Sequence, residues 1–185
     1  MPSKFISDKR KKLIDAYYAN KIKDVEVLID NVWDPHNVAA LARSADGLGI
    51  EKIHLYYTYN AFPNLKKVGK KSSSSANKWI RFERIEDIKG FLTQRKKEGW
   101  SIIGAAAGKE AKRLDRFVFP EKCLLVFGAE HGGISPEIAS ECDAFVVIPM
   151  VGMVESFNIS VAAAIIMYEV FRQKGSNLRL RKGLF

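Results

Sequence analysis

A group of polar side chains stands at predicted strand ends and turns, where a protein can align a substrate against a cofactor. Its members are Asn31, Asn37, Arg43, Glu130, Ser156 and Asn158. Among them run two glycine-containing segments, residues 123–138 and 144–171, in which a β-branched run ends in a flexible turn and a helix follows. Because α/β sheets bind small molecules at the carboxyl ends of neighbouring strands, the turns predict a cofactor site made largely of backbone N–H and C=O groups.

Arg43 is unusual in this group because it lies in an alanine- and leucine-rich helical segment, VAALARSADGLG at residues 38–49. The apolar spacing predicts that this helix packs on a sheet. The sequence allows two placements of the Arg43 side chain. It is either solvated on the outer face, or its guanidinium emerges at the sheet edge and binds a phosphate by a two-pronged contact.

The sequence contains no motif for dinucleotide binding, P-loop phosphate binding or metal ligation. The chain has neither the G-x-G-x-x-G spacing of dinucleotide binding nor the G-x-x-x-x-G-K of a P-loop. His36, His54 and His131 occur singly, which is more typical of structural or surface positions than of metal ligation, so no metal is expected. Cys123 and Cys142 are far apart and outside any metal-ligand pattern, which favours buried thiols in a cytoplasmic protein.

The charge of the chain points to an acidic partner. The formal net charge is +9, and the basic residues cluster near residues 9–23, 66–81 and 172–182. Nucleic acid is the first candidate and an anionic membrane surface the second, with a merely solvated surface as the alternative. No apolar run reaches the roughly 18 residues of a membrane span. The charged N-terminus lacks the apolar region of a signal peptide, so we expect a cytoplasmic protein without a membrane anchor.

Strand and helix patterns alternate along the chain, which predicts an α/β fold with a largely parallel sheet. The predicted strands are 25–29, 52–57, 79–82, 100–106, 123–127 and 145–148. The predicted helices are 4–18, 38–48, 85–97, 136–141 and 157–173, and residues 58–77 form a long basic loop. The last helix, with Ser156 as its expected N-cap, carries no charge between residues 157 and 168. It must be buried against the sheet or a second subunit, and we favour a dimer interface.

Three ordered motifs resemble those of the SPOUT superfamily, and within it the TrmH-type ribose 2′-O-methyltransferases. They are NVWDPHNVAALARSADGLGI at 31–50, LLVFGAEHGGIS at 124–135 and IPMVGMVESFNISVAAA at 148–164, accompanied by SANKW at 75–79. The resemblance covers nearly the whole chain. It implies a single domain over residues 1–185, with a short basic helix at about 3–20 and a basic tail at about 174–185. It also implies the SPOUT fold, a mostly parallel sheet with helices on both faces and a C-terminal deep trefoil knot.

The same resemblance implies that S-adenosylmethionine is the cofactor and that backbone groups of three turns hold it. The matching cofactor positions are Ala105, Gly128, Gly132, Ile148 and Phe157. The matching catalytic positions are Arg43, Ser156 and Asn158, with Asn37 and Glu130 in support, in a site completed across a homodimer. A guanidinium keeps its proton in proteins, which opposes a role for Arg43 as a base. We therefore favour Arg43 as the group that orients a phosphate and the ribose hydroxyl, over a base assisted by the substrate phosphate.

The resemblance implies methyl transfer to a ribose 2′-hydroxyl, with guanosine 18 in the tRNA D-loop as the leading target and tRNA as the partner. The residues expected to bind RNA are Lys9, Arg10, Lys11, His36, Trp79, Arg172 and Arg179. Trp79 either stacks on a base or belongs to the core. The alternatives are methylation of ribosomal RNA or of the tRNA wobble nucleotide, and a knotted RNA-binding protein that has lost catalysis.

Overall fold

A parallel β-sheet forms the centre of the protein, whose computed structural model describes residues 7–64, 79–108 and 110–175. In this part of the chain the sheet has seven strands in the order β3-β2-β1-β6-β4-β7-β5, and each neighbouring pair is parallel. The strands are β1 (Val25–Asp30), β2 (Lys52–Tyr56), β3 (Arg81–Ile85), β4 (Ser101–Ala105), β5 (Lys112–Arg113), β6 (Cys123–Phe127) and β7 (Ala144–Val147). The α/β class and the parallel sheet predicted from the sequence are confirmed.

Helices cover both faces of the sheet. They are α1 (Asp8–Ala19), α2 (Pro35–Gly47), α3 (Ile88–Lys97), α4 (Pro136–Ala139) and α5 (Ile159–Lys174), with a 3-10 turn at Leu114–Arg116. One core cluster joins α2 and α5 to the sheet, and a second joins α3 and α4 to the opposite face. The central strands β1 and β6 are buried on both sides, which explains why they read as unbroken apolar runs.

Local signals account for the bounds of α2. Asp34 is the N-cap, and its Oδ1 accepts a hydrogen bond from the backbone N–H of His36 at 2.8 Å. Val38 and Leu41 are buried against the sheet, as the spacing predicted. Beyond the helix, Gly49 adopts φ +78°, and a Cβ there would lie 2.6 Å from the carbonyl oxygen of Asn20. A side chain would therefore disturb this turn.

Several predicted bounds were wrong. Helix α3 begins at Ile88, three residues later than expected, because Asp87 caps it by accepting a hydrogen bond from Gly90 N–H at 3.0 Å. The short edge strand β5 was missed, since its two residues are basic and exposed and carry no apolar alternation. In the predicted basic loop, residues 58–64 form no helix or strand, and residues 65–78 lie outside the described part of the chain.

Candidate active site

Three neighbouring strands end together at one edge of the sheet. Ala105, the last residue of β4, pairs with Phe127 at the end of β6 on one side and with Val146 of β7 on the other. Because the strands are parallel, the turns that follow them emerge at the same edge. Three of the positions expected to hold the cofactor, Ala105, Gly128 and Ile148, therefore lie at this edge.

The turn after β6 requires glycine. A Cβ at Gly128 would overlap backbone atoms of Gly133 and Ile134. Ala129 and Gly133 exchange two backbone hydrogen bonds, at 3.0 and 3.2 Å, and close the turn on itself. Gly132 has φ +99°, which side-chain-bearing residues rarely adopt. The turn therefore brings its own main chain close together.

A chain of hydrogen bonds links three of the predicted catalytic residues. Asn158 Nδ2 donates to Asn37 Oδ1 at 3.1 Å, and Asn37 Nδ2 donates to Glu130 Oε1 at 2.7 Å. These residues come from the start of α5, the first turn of α2 and the turn after β6. The structure thus gathers Asn37, Glu130 and Asn158 from distant parts of the sequence.

Backbone groups also hold the Glu130 carboxylate. It accepts hydrogen bonds from the N–H groups of Trp33 at 2.8 Å and Asp34 at 3.4 Å. Desolvation by burial alone would raise the pKa of Glu130, but the hydrogen bonds from Trp33 and Asn37 outweigh it and lower that pKa. Glu130 is therefore an ionised acceptor at neutral pH, and it lies at the N-terminus of α2, where a negative charge is favoured.

An open cleft of about 570 Å³ lies beside this carboxylate. Its lining includes Trp33, Asp34, Asn37, Glu130 and His131. Sequence reasoning missed Trp33, and it treated His131 only as an isolated residue. The sequence did contain a signal for Trp33, because a large aromatic residue in a polar turn after a buried strand is a candidate for ligand binding.

Arg43 and Ser156 occupy exposed positions. Arg43 lies on α2, about 9 Å along the helix axis from Asn37 and on a different face, because six residues separate them. Ser156 lies in the exposed segment before α5. Its predicted capping role is wrong, since Asn158 is the N-cap and its Oδ1 accepts from Ser160 N–H at 2.9 Å.

The predicted RNA-binding residues are dispersed. Lys11 and His36 are exposed, whereas the Arg172 guanidinium pairs with Glu169 at 2.7 Å. The half-buried Trp79 ring packs against Tyr17 with a centroid separation of 4.9 Å. The side chains of Lys9 and Arg10, and all of Arg179, lie outside what the structure describes.

The described residues contain no group of three or more His, Cys, Asp or Glu gathered to hold a metal ion. None of their helices is both long and apolar enough to cross a membrane. Cys123 is buried and Cys142 half-buried, and both thiols are free.

Comparison with known proteins identifies the family of this chain. The sequence profile described as the SpoU rRNA methylase family matches residues 24–168. The chain belongs to the SpoU methylase family. Its match spans all three strand ends and every predicted catalytic residue.

Individual relatives agree with the family. The chain is 34% identical to a tRNA (guanosine(18)-2′-O)-methyltransferase of Aquifex aeolicus, over 91% of this chain and 79% of that protein. It superposes on the A. aeolicus TrmH/SpoU tRNA modifying enzyme with a TM-score of 0.84 and 30% identity, covering 95% of this chain and 90% of the other. It also matches the SpoU methyltransferase AviRb of Streptomyces viridochromogenes in complex with AdoMet, with TM-score 0.68, 28% identity and coverage of 82% and 58%.

Proposed function

We propose that this SpoU-family methyltransferase transfers a methyl group from S-adenosylmethionine to the ribose 2′-hydroxyl of guanosine 18 in the tRNA D-loop. The observation that carries the proposal is 34% identity to a guanosine-18 enzyme over 91% of the chain. The gathering of Asn37, Glu130 and Asn158 beside the three strand ends supports it. It also argues against a binding protein that has lost catalysis.

The turns after β4, β6 and β7 would hold the cofactor, through positions Ala105, Gly128, Gly132, Ile148 and Phe157. These turns suit the cofactor because their small residues leave main-chain groups accessible. Gly128 also allows the turn after β6 to close on its own backbone. S-adenosylmethionine, when bound, supplies an electrophilic methyl group on a sulfonium. Phe157 is 40% exposed, which leaves its ring available to cover an apolar part of the cofactor.

The protein's own residues would align the ribose hydroxyl and place charge around it. The cofactor would supply the methyl group and leave as S-adenosylhomocysteine, and the proton of the ribose hydroxyl would pass to solvent, so the residues of the site would have to hold that hydroxyl in line with the donor. Asn158, held by Asn37 and Glu130, presents an ordered polar group at the start of α5. The exposed Ser156 hydroxyl and Arg43 guanidinium would orient the 2′-hydroxyl and the adjoining phosphate, since a guanidinium matches a phosphate's geometry.

A homodimer would complete this site. Large apolar side chains are exposed along the segment before α5 and on α5 itself: Val151, Met153, Val154, Phe157, Val161 and Tyr168. An exposed apolar patch of this kind is typical of a protein interface. Arg43 lies on α2, which packs directly against α5, so an interface on α5 would bring Arg43 close to a second copy.

We further propose that the C-terminal part forms the deep trefoil knot of the SPOUT fold, with the chain after Ile148 threaded through a loop of preceding segments. The sheet order supports this, because β6 lies between β1 and β4 although it follows both in sequence. A cytoplasmic location follows from a tRNA substrate. The exposed basic residues, Lys11 among them, would track RNA phosphates, so binding should weaken steeply with salt.

The test is incubation of the protein with methyl-labelled S-adenosylmethionine and unmodified tRNA, followed by mass-spectrometric mapping of the modified nucleotide. We expect one 2′-O-methylated guanosine in the D-loop. A methyl group at the wobble nucleotide, or transfer to ribosomal RNA alone, would refute the D-loop assignment. RNA binding without methyl transfer would refute the proposal that the protein is an enzyme. An Arg43→Ala variant should lose transfer while its cofactor affinity stays close to that of the wild type.

A further inference from the structure

A pair of turns beside the catalytic residues is held rigidly by one buried asparagine. Asn31 follows β1, is fully buried and adopts φ +52°. Its Oδ1 accepts hydrogen bonds from the N–H groups of Thr58 at 2.8 Å and Tyr59 at 3.2 Å. Its carbonyl oxygen accepts a further bond from Asn60 Nδ2 at 2.6 Å. The turn after β2 is therefore fastened to the turn after β1.

A tyrosine adds a second tie between these turns. Tyr57 Oη donates to the carbonyl oxygen of Val32 at 3.0 Å, and the Trp33 N–H donates to Glu130. The backbone on both sides of the junction is thus ordered before any ligand arrives. A surface ordered in this way loses little conformational entropy on binding.

This rigid surface presents aromatic rings to solvent. Trp33 is 60% exposed and Tyr59 is 63% exposed. Phe62, on the same turn, already has partners in Tyr57, at a centroid separation of 5.4 Å, and the Arg84 guanidinium, 5.0 Å from its ring. Within the described ranges, neither Trp33 nor Tyr59 stacks on another aromatic ring. Both rings therefore keep solvent-exposed faces on turns whose backbone is held in place, an arrangement from which an aromatic side chain can stack on a base.

We propose that Trp33 and Tyr59 form a stacking platform for unpaired bases of the RNA substrate next to the methylated nucleotide. The inference rests on the proposed function, since it assigns the substrate's flanking bases to particular side chains. Trp33 lines the same cleft as Asn37 and Glu130, so a base on its ring lies beside the candidate catalytic residues. Unpaired loop bases expose both faces, and aromatic rings bind them with little dependence on sequence.

Charge favours RNA over a second protein as the occupant. The chain carries a net charge of +9, and Arg84 lies at this surface beside Phe62. An RNA with unpaired bases matches both the exposed rings and the net positive charge of the chain. At Trp33, where Asp34 and Glu130 are acidic, the contact is made by a base and not by a phosphate.

The test compares Trp33→Leu with Trp33→Phe, and Tyr59→Leu with Tyr59→Phe, in the full-length protein. Leucine keeps apolar bulk but has no π face, whereas phenylalanine keeps the face. We expect each leucine variant to bind unmodified tRNA about 5- to 150-fold more weakly at fixed salt. The phenylalanine variants should stay within about threefold of the wild type, and cofactor affinity should not change in any variant. Leucine variants that bind as well as the wild type, or phenylalanine variants as weak as leucine, would overturn the platform.

A second measurement identifies the bases. Single abasic sites are placed through the D-loop, and the affinity of each RNA is measured with wild type and with Trp33→Leu. At one position near the target the abasic site should weaken wild-type binding but leave Trp33→Leu unaffected, since the lost interaction is the same. Equal losses in both proteins at every position would refute the assignment, as would a change of sedimentation mass in Trp33→Leu, which would place a second copy of the chain on this ring. Failure of the wild type to methylate tRNA would refute the proposed function, whereas a normal wild type with unaffected leucine variants would refute only this inference.

Discussion

Asn37 Nδ2 donates a hydrogen bond to Glu130 Oε1 at 2.7 Å, across 93 residues of sequence. The bond joins the first turn of α2 to the glycine turn after β6. Because Asn37 also accepts from Asn158, one amide fixes the relative positions of three segments. The polar groups of the candidate site are therefore ordered by the protein alone, which lowers the entropy lost on aligning a substrate.

Replacing this amide tests its positioning role. We expect Asn37→Ala to lower the free energy of unfolding by about 1 kcal/mol, the usual value of a hydrogen bond, and to lower the kcat for methyl transfer. Asn37→Asp should reduce both quantities further, because it sets a second carboxylate against Glu130. Urea unfolding and labelled-methyl transfer measure the two effects.

Ser44→Ala on the same helix is the matched control. The Ser44 hydroxyl donates to the carbonyl oxygen of Ala40, four residues earlier on the same helix, at 3.2 Å. Its loss should change stability by less than about 0.5 kcal/mol. If Asn37→Asp is as active and as stable as the wild type, the hydrogen bond to Glu130 does not position the site.

The start of α5 gives a second prediction. Asn158→Ala should cost about 1 kcal/mol of stability, because its side chain caps the helix through the N–H of Ser160. Ser156→Ala should be close to neutral in stability while reducing methyl transfer. Thermal unfolding of both variants separates the two residues, and a stability loss confined to Ser156→Ala would contradict the cap seen here.

The glycine turn after β6 gives a third prediction. Gly128→Ala should destabilise the protein by at least about 2 kcal/mol, since its Cβ would overlap the backbone of Gly133 and the main chain cannot move away cheaply. Gly108→Ala, in the turn after β4, is the control, because a Cβ there meets nothing within 4 Å among the described residues. Denaturant titration of both proteins checks this, and equal midpoints would show that the turn relaxes.

A buried ion cluster gives a prediction about pH. Glu26, on β1, is 3% exposed. Its carboxylate lies 2.7 Å from His54 Nε2, 2.9 Å from Lys52 Nζ and 2.9 Å from the Arg95 guanidinium. Desolvation by burial would raise the pKa of Glu26, but the hydrogen bonds from His54 and Lys52 outweigh it and lower that pKa below its ordinary 4.5. The unfolded chain therefore binds this proton more readily than the folded one. The stabilisation is present above pH 4.5 and is lost as pH falls through the lowered folded pKa.

Glu26→Gln should accordingly lower the free energy of unfolding by about 1.5–3 kcal/mol at pH 7, because Lys52 and Arg95 lose a shared carboxylate, although Lys52 is one-third exposed and Arg95 keeps its pair with Glu98. The difference from wild type should shrink as pH falls below 4.5. Urea unfolding between pH 7 and pH 3 measures this, with Glu86→Gln as the control, since Glu86 forms only an exposed pair with Arg84. A difference that stays constant over this range would contradict the assigned pKa direction.

Much of the fold was predictable because its signals are local. The runs that became β1 and β6 are apolar over their whole length, as expected of strands buried on both faces. The α2 helix carries its start signal in Asp34 and Pro35, although the predicted start at residue 38 was three residues late because the apolar spacing begins only at Val38. The edge strand β5 has no such signal, since Lys112 and Arg113 are exposed and only pairing with β7 makes them a strand.

The sequence by itself determined six of the seven described strands, the order of the helices, the positions of the glycine turns and the residues of the three motifs, because each depends on neighbours within one element. Only the tertiary structure decided that Asn37 lies between Glu130 and Asn158, that Asn158 rather than Ser156 caps α5, and that Asn31 fastens two turns beneath exposed rings. These relationships depend on strand order and on hydrogen bonds between residues far apart in the chain. Local periodicity carries no information about either.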